Sequence, residues 1–153
     1  MYLLIIFGPV LSVMLASFFF NLLPRYIFLI SIFGSLIMSL ILCSIAVYEV
    51  VYLNSFCLVE LDTWIKLGVL NVKWSFYFDK LSTFMLFLII FISLLVHFFA
   101  LDYLNEDPHL PRFLVLLTLF TSFMEILVTS GNLVQFFLGW EGVGLMSYLL
   151  INF

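Results

Sequence analysis

Charge is what this chain has least of: 9% of its 153 residues are Asp, Glu, Lys or Arg, 66% are hydrophobic, and the mean hydropathy is +1.33. Soluble domains carry about a quarter charged residues, and a soluble core of this length could not hide so much apolar surface. A bilayer takes it up at about 20 apolar residues per spanning helix. The chain is therefore read as an integral membrane protein. The five cations, Arg25, Lys66, Lys73, Lys80 and Arg112, are scattered and the formal net charge is −4. No basic run is left to attract phosphate backbones, so nucleic acid is excluded as a partner. The only cysteines, Cys43 and Cys57, have no neighbouring histidines. They form neither a metal site nor a disulfide framework and are read as small hydrophobes. Alanine is scarce too, three residues against twenty phenylalanines, a bias of the kind AT-rich organellar genes produce. There is no phosphate loop, GxGxxG, CxxC or paired haem histidine, so no nucleotide, iron–sulfur cluster, haem or metal is expected on this chain. The opening MYLLIIFGPVLSV lacks a basic n-region and an A-x-A-like site; it is read as a first membrane helix rather than a cleaved signal.

What is present is long uncharged runs. A charge at the bilayer centre costs roughly 2.5–3.5 kcal/mol on insertion scales, so charges mark where spans end. The pattern predicts an all-α membrane protein, a single membrane domain over 1–153, with about five transmembrane helices near 2–23, 26–49, 80–101, 113–130 and 132–153. Gly8-Pro9 suggests a kink in the first. The loop DYLNEDPHLPR, with three acids and two prolines, must lie at the surface, and Asn132 is the expected N-cap of the last helix. Between helices two and three, Leu70, Val72, Trp74 and Phe76 alternate with Asn71, Lys73, Ser75 and Tyr77. That period of two predicts a surface β-hairpin over about 56–78. Lys66, Lys73 and Lys80 near the hairpin would place it on the inside by the positive-inside rule.

Four residues in these spans can carry proton chemistry. Glu141, nine residues into the fifth helix, falls near the bilayer midplane at about 1.5 Å per residue. Burial disfavours a carboxylate's charged form and a nearby cation favours it, so a Glu at that depth with a movable cationic partner can load and release protons. The alternative is a structural hydrogen bond to a neighbouring helix. Gly144, Leu145 and Tyr148 follow on the same face. Gly139, Gly142 and Gly144 each cost the helix about 1 kcal/mol relative to alanine, a penalty that close helix contact or a water-filled gap offsets. Glu125, near the end of the fourth helix, could face Glu141 and couple its titration to it, or reach out to the interface. His97, near the end of the third helix, suits either an interfacial imidazolium or a proton path. Glu125, His97 and Tyr148 are thus possible accessory groups, while His109 in the acidic loop is read as solvated.

The runs FYFDKLSTFMLFLIIFISLLVHFFALDYLNEDPHLPRF and GNLVQFFLGWEGVGLMSYLLINF closely resemble the N-terminal part of the NADH-ubiquinone oxidoreductase chain 5 family, the distal antiporter-like subunits of respiratory complex I. The likeness extends over the whole chain, and the segment around Trp140-Glu141-Gly142 is its most specific part. It implies a proton-translocating subunit of the membrane arm of an NADH:ubiquinone reductase, with Glu141 as the protonatable site and no redox chemistry on this chain. FMN, iron–sulfur clusters and ubiquinone would sit elsewhere in the complex. In the family this glutamate pairs with a lysine on a later helix, beyond Phe153. A fragment or split-gene product is therefore expected, completed by a second chain that carries the lysine. Other membrane-arm subunits and lipids are the remaining expected partners. The location implied is the mitochondrial inner membrane, with a bacterial plasma membrane as the alternative. The rival functions are a structural scaffold fragment whose completing chain carries the pump, and a subunit of the similar Mrp-type cation/proton antiporters. The sequence departs from the family at Glu125, where an apolar residue is usual, and at Gly131, where an acid is. Family topology would also set the hairpin on the intermembrane-space side, against the lysine count.

Overall fold

A computed structural model describes residues 1–18, 24–68 and 70–153. In chain order they form α1 (Tyr2–Phe18), α2 (Arg25–Val47) running into a π-helical turn (Tyr48–Tyr52), β1 (Cys57–Leu67), β2 (Leu70–Phe78), α3 (Lys80–Tyr103), α4 (Leu110–Thr129) and α5 (Leu133–Ile151). The fold is an all-α membrane bundle carrying one antiparallel hairpin, the class the charge spacing predicts. Among the described residues, four helices are long and apolar enough to cross a membrane: α2 with its π-turn, α3, α4 and α5. The described part of α1 has 17 residues, and the rest of its expected span, 19–23, lies outside the described residues.

Local chemistry sets the boundaries. Asp79 and Ser82 cap α3 reciprocally, the Asp79 carboxylate accepting from the Ser82 N–H at 2.7 Å and the Ser82 hydroxyl from the Asp79 N–H at 2.9 Å. The Asn132 side chain accepts from the Gln135 N–H at 2.8 Å and caps α5, as the sequence predicts. Two ends differ from expectation. Helix α4 starts at Leu110, ahead of the expected 113, because Pro111 falls in the first turn, where a helix has no use for its missing N–H. Helix α3 extends to Tyr103, carrying Asp102 on its last turn. The α1 helix runs unbroken through Pro9.

Two apolar clusters hold the bundle. At the hairpin end, Ile5 and Ile6 of α1 pack with Cys43 and Ala46 of α2, Phe76 and Phe78 of β2, Leu86 and Ile90 of α3, and Ile126 of α4. At the other end, Ala16, Phe28, Ile32, Leu36, Ala100, Leu110 and Leu114 form the second. Chain order puts a buried polar layer between them: Ser12 on α1, Ser39 on α2, Ser93 and His97 on α3, and Thr118, Thr121, Ser122 and Glu125 on α4. The Ser12 and Ser35 hydroxyls meet at 2.8 Å and tie α1 to α2 across it.

The hairpin pairs Cys57 with Phe78 through Leu67 with Leu70, with register shifts around Thr63. Gly68 has a φ of 53°, which a tight hairpin turn requires and a side chain resists. The expected alternation on β2 holds in that Val72, Phe76 and Phe78 are buried, yet Ser75 is buried as well. Its surroundings explain why. The Gly131 N–H donates to the Ser75 carbonyl at 2.9 Å, and the Ser75 N–H donates to Gln135 Oε1 at 3.1 Å. The Asn132 amide donates to the Lys73 carbonyl at 2.7 Å. The hairpin is thereby latched onto the α4–α5 turn. A Cβ at Gly131 would stand 2.9 Å from the Ser75 Cβ and 3.0 Å from its carbonyl oxygen, so this close approach needs glycine. On the hairpin, apart from the candidate spanning helices, Lys73 donates to Glu60 across the two strands at 2.8 Å, and that carboxylate holds its ammonium above the usual lysine range.

Candidate functional site

Helices α4 and α5 position the two buried-depth carboxylates. Gly139 backs onto Leu127, where a Cβ would sit 2.8 Å from the Leu127 Cα, and Gly142 backs onto the Phe123 ring. These two glycines let antiparallel helices touch backbone to side chain, and the contact offsets their conformational cost. The same register sets Glu141, ninth of the 19 residues of α5, at about the height of Met124 and Glu125. Gly144 differs from the other two, since a Cβ there would meet nothing within 4 Å.

Glu141 points away from the bundle. It is exposed on the outer face of α5 and lines a cleft of about 490 Å³ with Trp64, Phe123, Phe137, Leu138 and Leu145. Among the described residues it makes no hydrogen bond or ion pair; the only salt bridge there is the one between Lys73 and Glu60. Tyr148, two turns on, is 67% exposed on the same helix. The outer face of α5 thus presents a carboxyl and a phenol at membrane depth, where neither finds a partner within the described chain.

Glu125 points the other way. It is 0% exposed, and neither carboxyl oxygen has a hydrogen-bond partner among the described residues. It does not reach the interface, and it does not line the cleft that Glu141 opens onto. The facing pair of acids that the tight turn permits does not form, because α4 turns Glu125 toward α1–α3 while α5 turns Glu141 out. Cys43 of α2 lies within the electrostatic reach of Glu125.

His97 is 0% exposed, six residues before the end of α3, and not an interfacial ring. Nδ1 lies 2.7 Å from the Ser93 carbonyl oxygen and Nε2 3.0 Å from Thr118 Oγ1. A carbonyl only accepts, so Nδ1 carries a proton. Ser93 Oγ also sits 2.6 Å from Thr121 Oγ1, joining α3 to α4 a second time. Ser93, Thr118, Thr121 and Ser122 are members of this polar layer that the sequence reading did not single out. Their signal was legible: Thr118, Thr121, Ser122, Glu125 and Thr129 recur at three- and four-residue steps, one face of a helix. Among the described residues no three His, Cys, Asp or Glu side chains converge as metal ligands would.

A family model described as NADH-Ubiquinone oxidoreductase (complex I), chain 5 N-terminus matches residues 64–114. The chain is 46% identical over 153 residues to the NADH-ubiquinone oxidoreductase chain 5 of Acanthamoeba castellanii, covering 100% of this chain and 22% of that protein. The chain 5 of Arabidopsis thaliana is also 46% identical over 153 residues, with 100% of this chain and 23% of the relative covered. For Dictyostelium discoideum the figures are 51% over 106 residues, 69% of this chain and 16% of the relative. The chain spans under a quarter of the length of the curated relatives it matches.

Proposed function

Because this chain belongs to the NADH-ubiquinone oxidoreductase chain 5 family, we propose that it serves in the membrane arm of respiratory complex I as a proton-translocating element, with Glu141 as its protonatable site. One observation carries the reading: a carboxyl at the middle of a spanning helix, unpaired among the described residues, on a face held open beside a glycine-tight helix contact. Acids at membrane depth are costly, and those that persist face a protein interior or an aqueous cavity. An apolar cleft with one carboxyl is a place for a further helix bearing a cation, here the lysine of a completing segment or chain. A cation that approaches stabilises the carboxylate and releases its proton; a cation that withdraws lets the carboxyl take one up. Tyr148, on the same face, can hydrogen-bond a water leading to that carboxyl. The eukaryotic relatives support a mitochondrial inner membrane location. The kinship with NADH-ubiquinone oxidoreductase chain 5 supports complex I over an Mrp-type antiporter, with FMN, iron–sulfur clusters and ubiquinone on other subunits.

The test is Glu141→Gln in the assembled complex. Normal assembly with reduced proton pumping per NADH supports the assignment. Altered assembly with unchanged pumping per complex transfers the role to the completing chain and leaves this one a scaffold. Co-purification with a small antiporter assembly, in place of an NADH-oxidising one, points to the Mrp reading.

A further inference from the structure

We propose that Glu125 and His97 form an internal acid–base couple that shares one proton along the hydroxyl face of α4, inside the α1–α4 bundle and separate from Glu141. The proposal stands whatever the role of Glu141.

The first support is an unmet demand for hydrogen bonds. Glu125 is sealed at 0% exposure, and among the described residues neither of its carboxyl oxygens nor the buried Ser39 hydroxyl of α2 has a hydrogen-bond partner. Buried polar atoms are satisfied in nearly every native structure, by protein or by internal water. A helical side chain leans back over the preceding turn, which here sends the Glu125 carboxyl toward Thr121 and Ser122 and onward to Thr118. Neighbours one turn apart are about 5–6 Å apart at Cβ, a gap that one bridging water closes.

The second support is that the far end of this face is built for two protonation states. The Thr118 hydroxyl has one proton and two acceptors in reach, the Leu114 carbonyl at 2.7 Å and His97 Nε2 at 3.0 Å. With Nδ1–H committed to the Ser93 carbonyl, a neutral ring needs Thr118 to donate to Nε2. A protonated ring donates from Nε2 to Thr118, which then donates to Leu114. Rotation of one hydroxyl converts one arrangement into the other with no heavy atom displaced. In the transfer, the Glu125 O–H bond breaks, protons shift along Ser122, Thr118 and the bridging waters, and a bond forms between hydrogen and His97 Nε2. No electrons are exchanged.

The surroundings keep the proton between these two groups. The layer is faced from α1 and α2 by the hydroxyls of Ser12, Ser35 and Ser39 and by the Cys43 thiol, and on α3 by Ser93 and His97. Helix α5 turns Gly139 to α4 and carries Glu141 on its outer side. The two apolar clusters close the layer at both ends.

Infrared difference spectra of the purified membrane complex containing this chain test the couple. We expect a protonated-carboxyl C=O band that Glu125→Gln abolishes and that gains intensity in His97→Gln, where the proton has one home left. Thr118→Val keeps the side-chain shape, removes the hydroxyl and should raise the same band, and Thr118→Ser should restore the native intensity. A band indifferent to His97→Gln and Thr118→Val overturns the proposal, as does the absence of any band lost in Glu125→Gln. Should the Glu125 or His97 variants fail to assemble, the Thr118 pair decides alone.

Discussion

Glu125 and Glu141 stand at nearly one height on adjacent helices, yet one is sealed inside the bundle and the other lies open on its outer face. The difference lies in rotation about the helix axes. Depth sets what a charge costs; facing sets what can reach it. The inward face of α4 offers hydroxyls that, with the imidazole of His97 on α3, move a proton within the chain. The outward face of α5 offers a carboxyl that has no partner among the described residues.

The comparison can be broken by disturbing either face. The largest effect is expected from Gly142→Leu, since even a Cβ there collides with the Phe123 ring. Forcing α5 off α4 should cost about 3 kcal/mol, seen as loss of the assembled complex on native gels. Gly144→Ala, on the open side of the same helix, is the control and should leave assembly unchanged. Next comes Gly131→Asp. It drives a side chain into Ser75 and should loosen the hairpin latch by about 1–3 kcal/mol, read as faster proteolysis of the 57–78 segment. Glu125→Met should be neutral or raise thermal stability by about 1 kcal/mol, because it replaces a buried carboxyl with no protein partner among the described residues by an apolar side chain of similar volume. A large destabilisation would mean that Glu125 has a partner of structural weight. The smallest effect belongs to Lys73→Met. Its pair with Glu60 is half exposed at 47% for each partner, so the thermal midpoint should stay at the native value.

Much of the fold was legible because the constraints are local. Charges such as Glu49, Lys80 and Asp102 bracket spans, the period of two marks β2, and Asn132 announces the start of α5. The exceptions are long-range. Ser75 breaks the strand's alternation because Gln135, sixty positions away in sequence, accepts from its N–H. His97 looks interfacial when counted from Asp102, yet helix α3 continues past that residue and the ring finds Thr118 across the seam. Glu141 could be placed at mid-membrane by counting residues, whereas the direction it and Glu125 face depends on how α4 and α5 rotate against each other. The glycines that fix that rotation, Gly139 and Gly142, look the same in the sequence as Gly144, which meets nothing.

The most direct test of this division is the number of protons moved per NADH oxidised, compared between Glu141→Gln and Glu125→Gln in equally assembled complexes. The account predicts a lower ratio for Glu141→Gln and a native ratio for Glu125→Gln. A native ratio in Glu141→Gln, or the loss falling on Glu125→Gln alone, would contradict it.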